Sequence, residues 1–288
     1  MTEKTIDTLI QDIDTLILSG VESPSEDVIN SFGTRVASIL RQRLTTKRDR
    51  DFTLRMSNIG KDPAQLWYES RGYPKDKELD ATTLLKFLYG DVIEELLLTL
   101  AELAGHKVTE RQREVELAGI KGHIDALIDG EVVDVKSASS FSYDRFESGT
   151  LKDNDAFGYY TQISGYAKAL GLPRGHFLAM DKQMANTCLL TVPEMHFVDV
   201  AAKIDSLKEA LACDTPPECN CIKKVEANGN EYLGPTCSYN PYKHHCHSGL
   251  RVFLYSTGPR FFTKVVKEPQ VPEIVDGVVV PKLAKAAV

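Results

Sequence analysis

The chain has 288 residues, of which 42% are hydrophobic and 26% charged, the balance of a soluble globular protein with one large domain or a core carrying appended modules. Its net charge of −7 argues against nonspecific coating of nucleic acid, which rests on a basic surface, although carboxylates that hold cations would account for part of the excess. No apolar run approaches the roughly 20 residues of a membrane helix, and the opening Met-Thr-Glu-Lys-Thr-Ile-Asp lacks an apolar signal region, so the expectation is no membrane partner and a cytoplasmic protein (host cytoplasm if viral).

Residues 4–19 place Ile6, Leu9, Ile10, Ile13, Leu16 and Ile17 at helical spacing, and Gly20 follows as a C-cap. Ser23-Pro24-Ser25-Glu26-Asp27 opens a second helix that runs to about Leu44. Residues 1–56 are therefore expected to form an N-terminal helical arm packed on the core. Arg41, Arg43, Lys47, Arg48 and Arg50 make a local basic run, read as a solvated helix end before a DNA contact. Trp67, the sole tryptophan, and Tyr68 are read as packing residues. A long helix follows from about Ala81 to Gly105, with Leu84, Leu85, Leu88, Val92, Leu96 and Leu100 as its stripe and Glu94 on the flank.

Residues 111–130 and 131–139 read as the strands of a hairpin that turns at Asp129-Gly130, a pair suited to the positive φ angles of a tight type I′ turn. Strand alternation puts Asp134 and Lys136 on one face and Val133 and Val135 on the other. Two residues of rise separate the first pair by roughly 6.7 Å, and Asp125 on the opposing strand reaches the same place. Two carboxylates and an ammonium at a sheet end suit metal-assisted hydrolysis of a phosphodiester, because an anionic substrate needs a nearby cation and a water made acidic. The plainer reading is a surface hairpin with a cross-strand ion pair, and Asp-x-Lys alone favours it.

Residues 141–155 are polar and turn-rich and read as a mobile loop, followed by a helix over 155–170 that carries Gln162 and Tyr166 on one face. Residues 175–180 and 186–192 read as strands, and 194–212 as a helix. Residues 251–256 and 261–266 are expected to pair as a second hairpin, with 269–288 an extended or loose C-terminal tail.

In chain order these segments give Gly90-x-x-x-Glu94, Gly122-x-x-Asp125, Asp134-x-Lys136 and Gln162-x-x-x-Tyr166, on helix, strand, strand and helix. That succession resembles the PD-(D/E)XK nuclease superfamily, in its RecB-like branch, which includes CRISPR-associated RecB-like and phage-encoded exonucleases. The resemblance covers residues 57–180 and extends to about 247. It implies an α/β fold, a restriction-endonuclease-like core of mixed central sheet flanked by helices, over residues 57–268. It further implies Glu94, Asp125, Asp134 and the Val135 carbonyl as ligands of Mg²⁺ or Mn²⁺. Lys136 would activate water, with Gln162 and Tyr166 contacting nucleic acid and supporting the site. Glu94 stands where many relatives have His, and keeps an oxygen ligand suited to a hard cation. His123 is read as structural, on the sheet face away from Asp125's neighbours.

The activity so implied is a metal-dependent DNA exonuclease acting on DNA that is single-stranded or has free ends, in phage or bacterial recombination, repair or genome processing. A homo-oligomer or a recombination partner is compatible with that reading. A noncatalytic nucleic-acid- or protein-binding module that keeps the fold is the alternative. Many RecB-like exonucleases hold an iron–sulfur cluster on one cysteine before the motif helix and three near the C-terminus. Here Asp62 and Asn240 stand at two of those positions, which argues against an intact cluster. In the loop-rich segment 213–249, Cys219, Cys221, Cys237 and Cys246 are expected as reduced thiols. A zinc site shared with His244, His245 or His247 is the minority reading, because Cys-x-Cys is tighter than usual zinc spacing. Cys188 and Cys213 are expected to pack.

Overall fold

The computed structural model describes residues 4–45, 51–76 and 79–281, which leaves Lys47, Arg48 and Arg50 of the basic run and the final Lys-Leu-Ala-Lys-Ala-Ala-Val outside the described residues. In chain order the helices are α1 (Leu9–Ser19), α2 (Glu26–Thr45), α3 (Pro63–Ser70), α4 (Ala81–Leu103), α5 (Ser140–Glu147), α6 (Tyr159–Leu170), α7 (Val200–Ala212), α8 (Pro235–Ser238) and α9 (Lys243–Cys246). The first strands are β1 (Val108–Thr109), β2 (Glu114–Leu117), β3 (Ile120–His123), β4 (Ala126–Ile128), β5 (Glu131–Ala138), β6 (Arg174–Asp181) and β7 (Thr187–Pro193). After them come β8 (Lys223–Val225), β9 (Glu231–Leu233), β10 (Arg251–Tyr255), β11 (Gly258–Lys264), β12 (Glu273–Val275) and β13 (Val278–Val280). Among the described residues no helix is long and apolar enough to cross a membrane. The chain divides into two units, one of Met1–Gly60 with Leu79–Ser206 and one of Lys61–Glu78 with Leu207–Val288.

The first unit is built on a mixed five-stranded sheet of order β1-β4-β5-β6-β7, in which β5 and β6 run parallel and the other pairs antiparallel. Asp129 and Gly130 take φ of 52° and 86°, and Ile128 pairs with Glu131 across them, the two-residue turn that the sequence predicts. Alternation along β5 then sorts its side chains. Val133 and Val135 join Ile6, Leu9 and Ile13 and the α4 residues Ile93, Leu97, Leu98 and Ala101 in one buried cluster. Each valine, leucine and isoleucine among them contributes roughly 1.5–3 kcal/mol on burial. In the first unit, α1 packs through that cluster, and α2 meets α4 through Arg35–Glu95 and Arg43–Asp91 ion pairs.

Asp134 and Lys136 face the other way. Phe177, the β6 register partner of Asp134, meets Phe146 of α5 and Tyr160 of α6 on that side. A Cβ added to Gly175 would lie 2.6 Å from Ile163 Cγ1, so the glycine lets α6 lie close on β6.

Four expectations are corrected. Residues 111–130 are not one strand: Ala118 and Gly119 take φ of 51° and 76° and fold β2 and β3 into a separate two-stranded sheet. Residues 141–155 hold α5 and a 3₁₀ turn (Leu151–Asn154), because Tyr143 and Phe146, three apart, bury one helical face amid serines. Residues 155–158 precede α6, with Asp155 capping it at Tyr159 N and Tyr160 N, both at 2.8 Å. Residues 273–280 form the β12–β13 hairpin over Asp276-Gly277, a repeat of the Asp-Gly signal at 129–130. His123 is exposed on β3 beside Glu114, a surface position.

The second unit carries an antiparallel sheet of order β13-β12-β10-β11-β9-β8, including the predicted pairing of Arg251–Tyr255 with Gly258–Lys264. Trp67 and Tyr68 pack with Ala64 and Tyr242, and Trp67 Nε1 donates to the Cys213 carbonyl at 2.8 Å. The expectation of reduced thiols is overturned here: Cys219 is bonded to Cys246 and Cys221 to Cys237, since the chain brings each pair to Cα separations of 6.1 and 5.7 Å. Cys213 is exposed instead of packed, and in the first unit Cys188 is half-buried against Tyr143.

Candidate active site

The site begins where β4 stops. The ladder from β4 ends at Ala126–Val133, and the next free β5 amide, Val135 N, donates to Asp125 Oδ2 at 2.7 Å instead of to a strand. A carboxylate therefore sits where backbone pairing would have continued. One residue either side of Val135, Asp134 is 1% exposed and Lys136 Nζ is ion-paired to its Oδ2. The ammonium also lies 4.7 Å from the centre of the Tyr159 ring, the first residue of α6.

Glu94 arrives from α4. Gly90, one turn earlier, lets that helix approach β5, since a Cβ there would stand 3.2 Å from Ser137 Oγ. Glu94 Oε1 accepts a hydrogen bond from Gln112 Nε2 at 2.8 Å. Its neighbour Glu95 is buried and bound by Arg35 at 2.5 Å and Arg111 at 3.2 Å, so of the acidic pair one member is committed to structure.

Gly122 does for α6 what Gly90 does for α4. A Cβ on it would fall 2.6 Å from Met56 Cβ and 2.8 Å from Tyr166 Cε1. Tyr166 is 2% exposed, and its hydroxyl accepts from Gln162 Nε2 at 3.1 Å.

The charges act on one another. Burial, then Asp134, pushes the Glu94 carboxyl up to about 7. Burial, with Asp134 and Glu94 behind it, raises Asp125 well above the carboxylate range, against the pull of Lys136 and the Val135 N–H. Burial draws the Lys136 ammonium down, but Asp134 and Asp125 outweigh it and the net direction is up. Burial, then Asp134, raises the Tyr166 phenol. Glu94, Asp125, Asp134, Lys136 and Tyr166 are thus brought within electrostatic reach of one another, and Gln162 joins through its bond to Tyr166.

Three carboxylates face one ammonium. Oxygen donors in excess of local positive charge, half-withdrawn from water, are the donor set that a hard divalent cation satisfies, so these residues fit Mg²⁺ or Mn²⁺. Two neighbours escaped the sequence reading. Tyr159 stands three residues before Gln162 and seven before Tyr166, on their helical face, and that spacing was a usable signal. Gln112 sits in a turn with φ of 55° and carries no periodic signal.

No protein-family model matches the chain, and no curated protein matches it. Among solved structures it is similar to SSO0001 at 18% identity and a TM-score of 0.43, over 74% of this chain and 95% of that one. It is similar to an alkaline exonuclease (LHK-Exo) from Laribacter hongkongensis at 13% identity and a TM-score of 0.31, over 54% and 91% of the two chains. The structure of LHK-Exo in complex with dAMP aligns at 16% identity and a TM-score of 0.34, over 62% and 92%. Likenesses at this level carry no functional argument, and the site is read from its own chemistry.

Proposed function

We propose that the chain is a Mg²⁺- or Mn²⁺-dependent deoxyribonuclease that hydrolyses phosphodiester bonds at DNA ends. Glu94, Asp125, Asp134 and the Val135 carbonyl are its metal ligands, and Lys136 is the cation beside them. The observation that carries this reading is the gathering of three carboxylates and one ammonium where β4 parts from β5, with Glu94 and Asp125 both raised by burial and by Asp134. The bound ion would supply positive charge beside the scissile phosphate and make a water acidic enough to give up a proton at neutral pH.

The protein residues do the rest. Val135 N–H fixes the Asp125 carboxylate by one oxygen. Asp134 and the Tyr159 ring hold the Lys136 ammonium in place, so its N–H groups can orient a water and offset charge that builds on phosphoryl oxygen. Tyr166, being buried, is a positioning residue for the carboxylates, while Gln162 is partly exposed at the same face and can reach nucleic acid. Action on ends, in phage or bacterial recombination, repair or genome processing, rests on the RecB-like order of the motifs.

End-labelled single- and double-stranded DNA, incubated with the purified chain and Mn²⁺ or Mg²⁺, tests the reading. Cleavage should appear with metal, stop with EDTA, and fall about 10²–10³-fold or more in Lys136→Ala, the usual cost of removing one charge-stabilising donor. A folded chain that cleaves neither substrate with either ion would sink the assignment and favour a noncatalytic nucleic-acid- or protein-binding module.

A further inference from the structure

The stretch from Cys213 to Ile222, between α7 and β8, has neither helix nor strand, and sulfur chemistry ties it down. Cys219 and Cys221 sit in one tight turn, with Cys221 N donating to the Cys219 carbonyl at 2.8 Å. The amide between them, Asn220 N, donates to Asp62 Oδ2 at 2.9 Å, while Asp62 Oδ1 caps α3 at Ala64 N. On the other side, Asn240 is 3% exposed and its Nδ2 donates to Cys246 Sγ at 3.6 Å.

Cys219 Sγ, Cys221 Sγ and a ring nitrogen of His247 lie within 4.8 Å of one another. Each of those sulfurs is joined to a further one, so four sulfurs and an imidazole share one small volume. His247 Nε2 is buried and has no hydrogen-bond partner among the described residues. A buried ring nitrogen left in that state carries a desolvation cost that a ligand at the sulfurs would remove.

We propose that, with its cysteines reduced, this knot is a structural zinc site. Cys219, Cys221 and His247 supply three ligands, and Cys237 or Cys246 supplies the fourth. Thiolates and imidazole are the donors that select zinc over Mg²⁺ or Mn²⁺. Tetrahedral coordination with Zn–S bonds of about 2.3 Å spaces the sulfurs about 3.8 Å apart, compatible with ligand atoms that already lie within 4.8 Å of one another. The two disulfides are the same knot in its oxidised form; a small-molecule or protein dithiol reduces them, giving up four electrons and four protons in all and leaving as its own disulfide. Zinc binding then releases one proton from each of the three ligating thiols and moves no electrons. The ion would close the loop onto the segment 237–247, independently of the candidate active site.

The full chain, purified in reducing buffer without chelator, should carry about one zinc per molecule. Cobalt(II) added to the metal-free reduced chain should give the visible bands of tetrahedral sulfur coordination, and zinc should displace them. Cys219→Ser and Cys221→Ser should abolish both signals, His247→Ala should shift the cobalt bands, and Cys188→Ser should change nothing. Loss of metal in Cys237→Ser or in Cys246→Ser names the fourth sulfur; retention in both overturns the site. So does a fully reduced wild-type chain, folded by circular dichroism, that takes up neither ion. Iron with inorganic sulfide on these cysteines would likewise overturn the assignment to zinc.

Discussion

Gly122 and Gly33 lack the same atom, and a restored Cβ should act in opposite directions at the two. At Gly122 the added carbon meets Met56 and the buried Tyr166 ring at 2.6 and 2.8 Å, and Met56 is itself confined by Gly165, whose own Cβ would meet Met56 Sδ at 2.7 Å. Neither neighbour has room to yield. Gly122→Ala should therefore cost about 1–3 kcal/mol, the range for overpacking a filled interior. Gly33 lies inside α2 with nothing within 4 Å of the missing carbon. Gly33→Ala should stabilise by about 0.5–1 kcal/mol, because alanine loses less backbone freedom in a helix. Urea unfolding of both variants checks the pair. A Gly122→Ala chain as stable as the parent would show that Tyr166 is not held by this contact.

At the scale of elements, α6 presents Tyr159, Gln162 and Tyr166 to the site, so the start of that helix decides where Tyr159 meets Lys136. Asp155 fixes the start by accepting from two amides at 2.8 Å, and Gly158, with φ of 75°, turns the chain into the first helical residue. Asp155→Ala should cost about 0.5–2 kcal/mol, the usual value of such a cap, and Asp155→Asn less, because its side chain can still accept. Hydrogen exchange at Tyr159 and Tyr160 amides should speed up in Asp155→Ala while amides of β5 and β6 hold; uniform acceleration would mean the cap is not local. Elements of this kind were legible to different degrees. The Asp129-Gly130 turn and the in–out alternation of β5 could be read because one local rule decides each. The α5 helix could not, since its two buried aromatics are scattered among serines, and Asp276-Gly277 carried a readable hairpin signal that the proline-rich surroundings obscured. Pairing of β9 with β11, and of each cysteine with its partner, depends on contacts far apart in sequence, which spacing alone does not specify.

For the whole molecule, the gathered acids set function against stability. The folded chain holds the Glu94 carboxyl at about 7 where an ordinary glutamate titrates near 4.5. Between those values the folded state keeps a proton that the unfolded state has released, so raising pH across the interval favours unfolding. Asp125 is shifted in the same direction by burial and the same neighbours. Without divalent metal, the chain should therefore lose stability from Glu94 as pH climbs from about 4.5 to 7, by about 1–3 kcal/mol. Glu94→Gln keeps an oxygen for Gln112 and removes the charge, so its advantage over the parent should be absent near pH 4 and grow to a melting-temperature gain of several degrees near pH 8 in EDTA. A cation that binds only the folded state acts in the opposite sense, worth about 2.7 kcal/mol when its concentration is a hundred times its dissociation constant. Mn²⁺ should therefore raise the melting temperature of the parent at pH 8 more than that of Glu94→Gln, and narrow or reverse the gap between them. Melting curves of the two proteins at both pH values, with EDTA and with Mn²⁺, decide the matter. Parallel curves throughout would mean that Glu94 feels neither the other carboxylates nor the metal, and it would then have to leave the proposed ligand set.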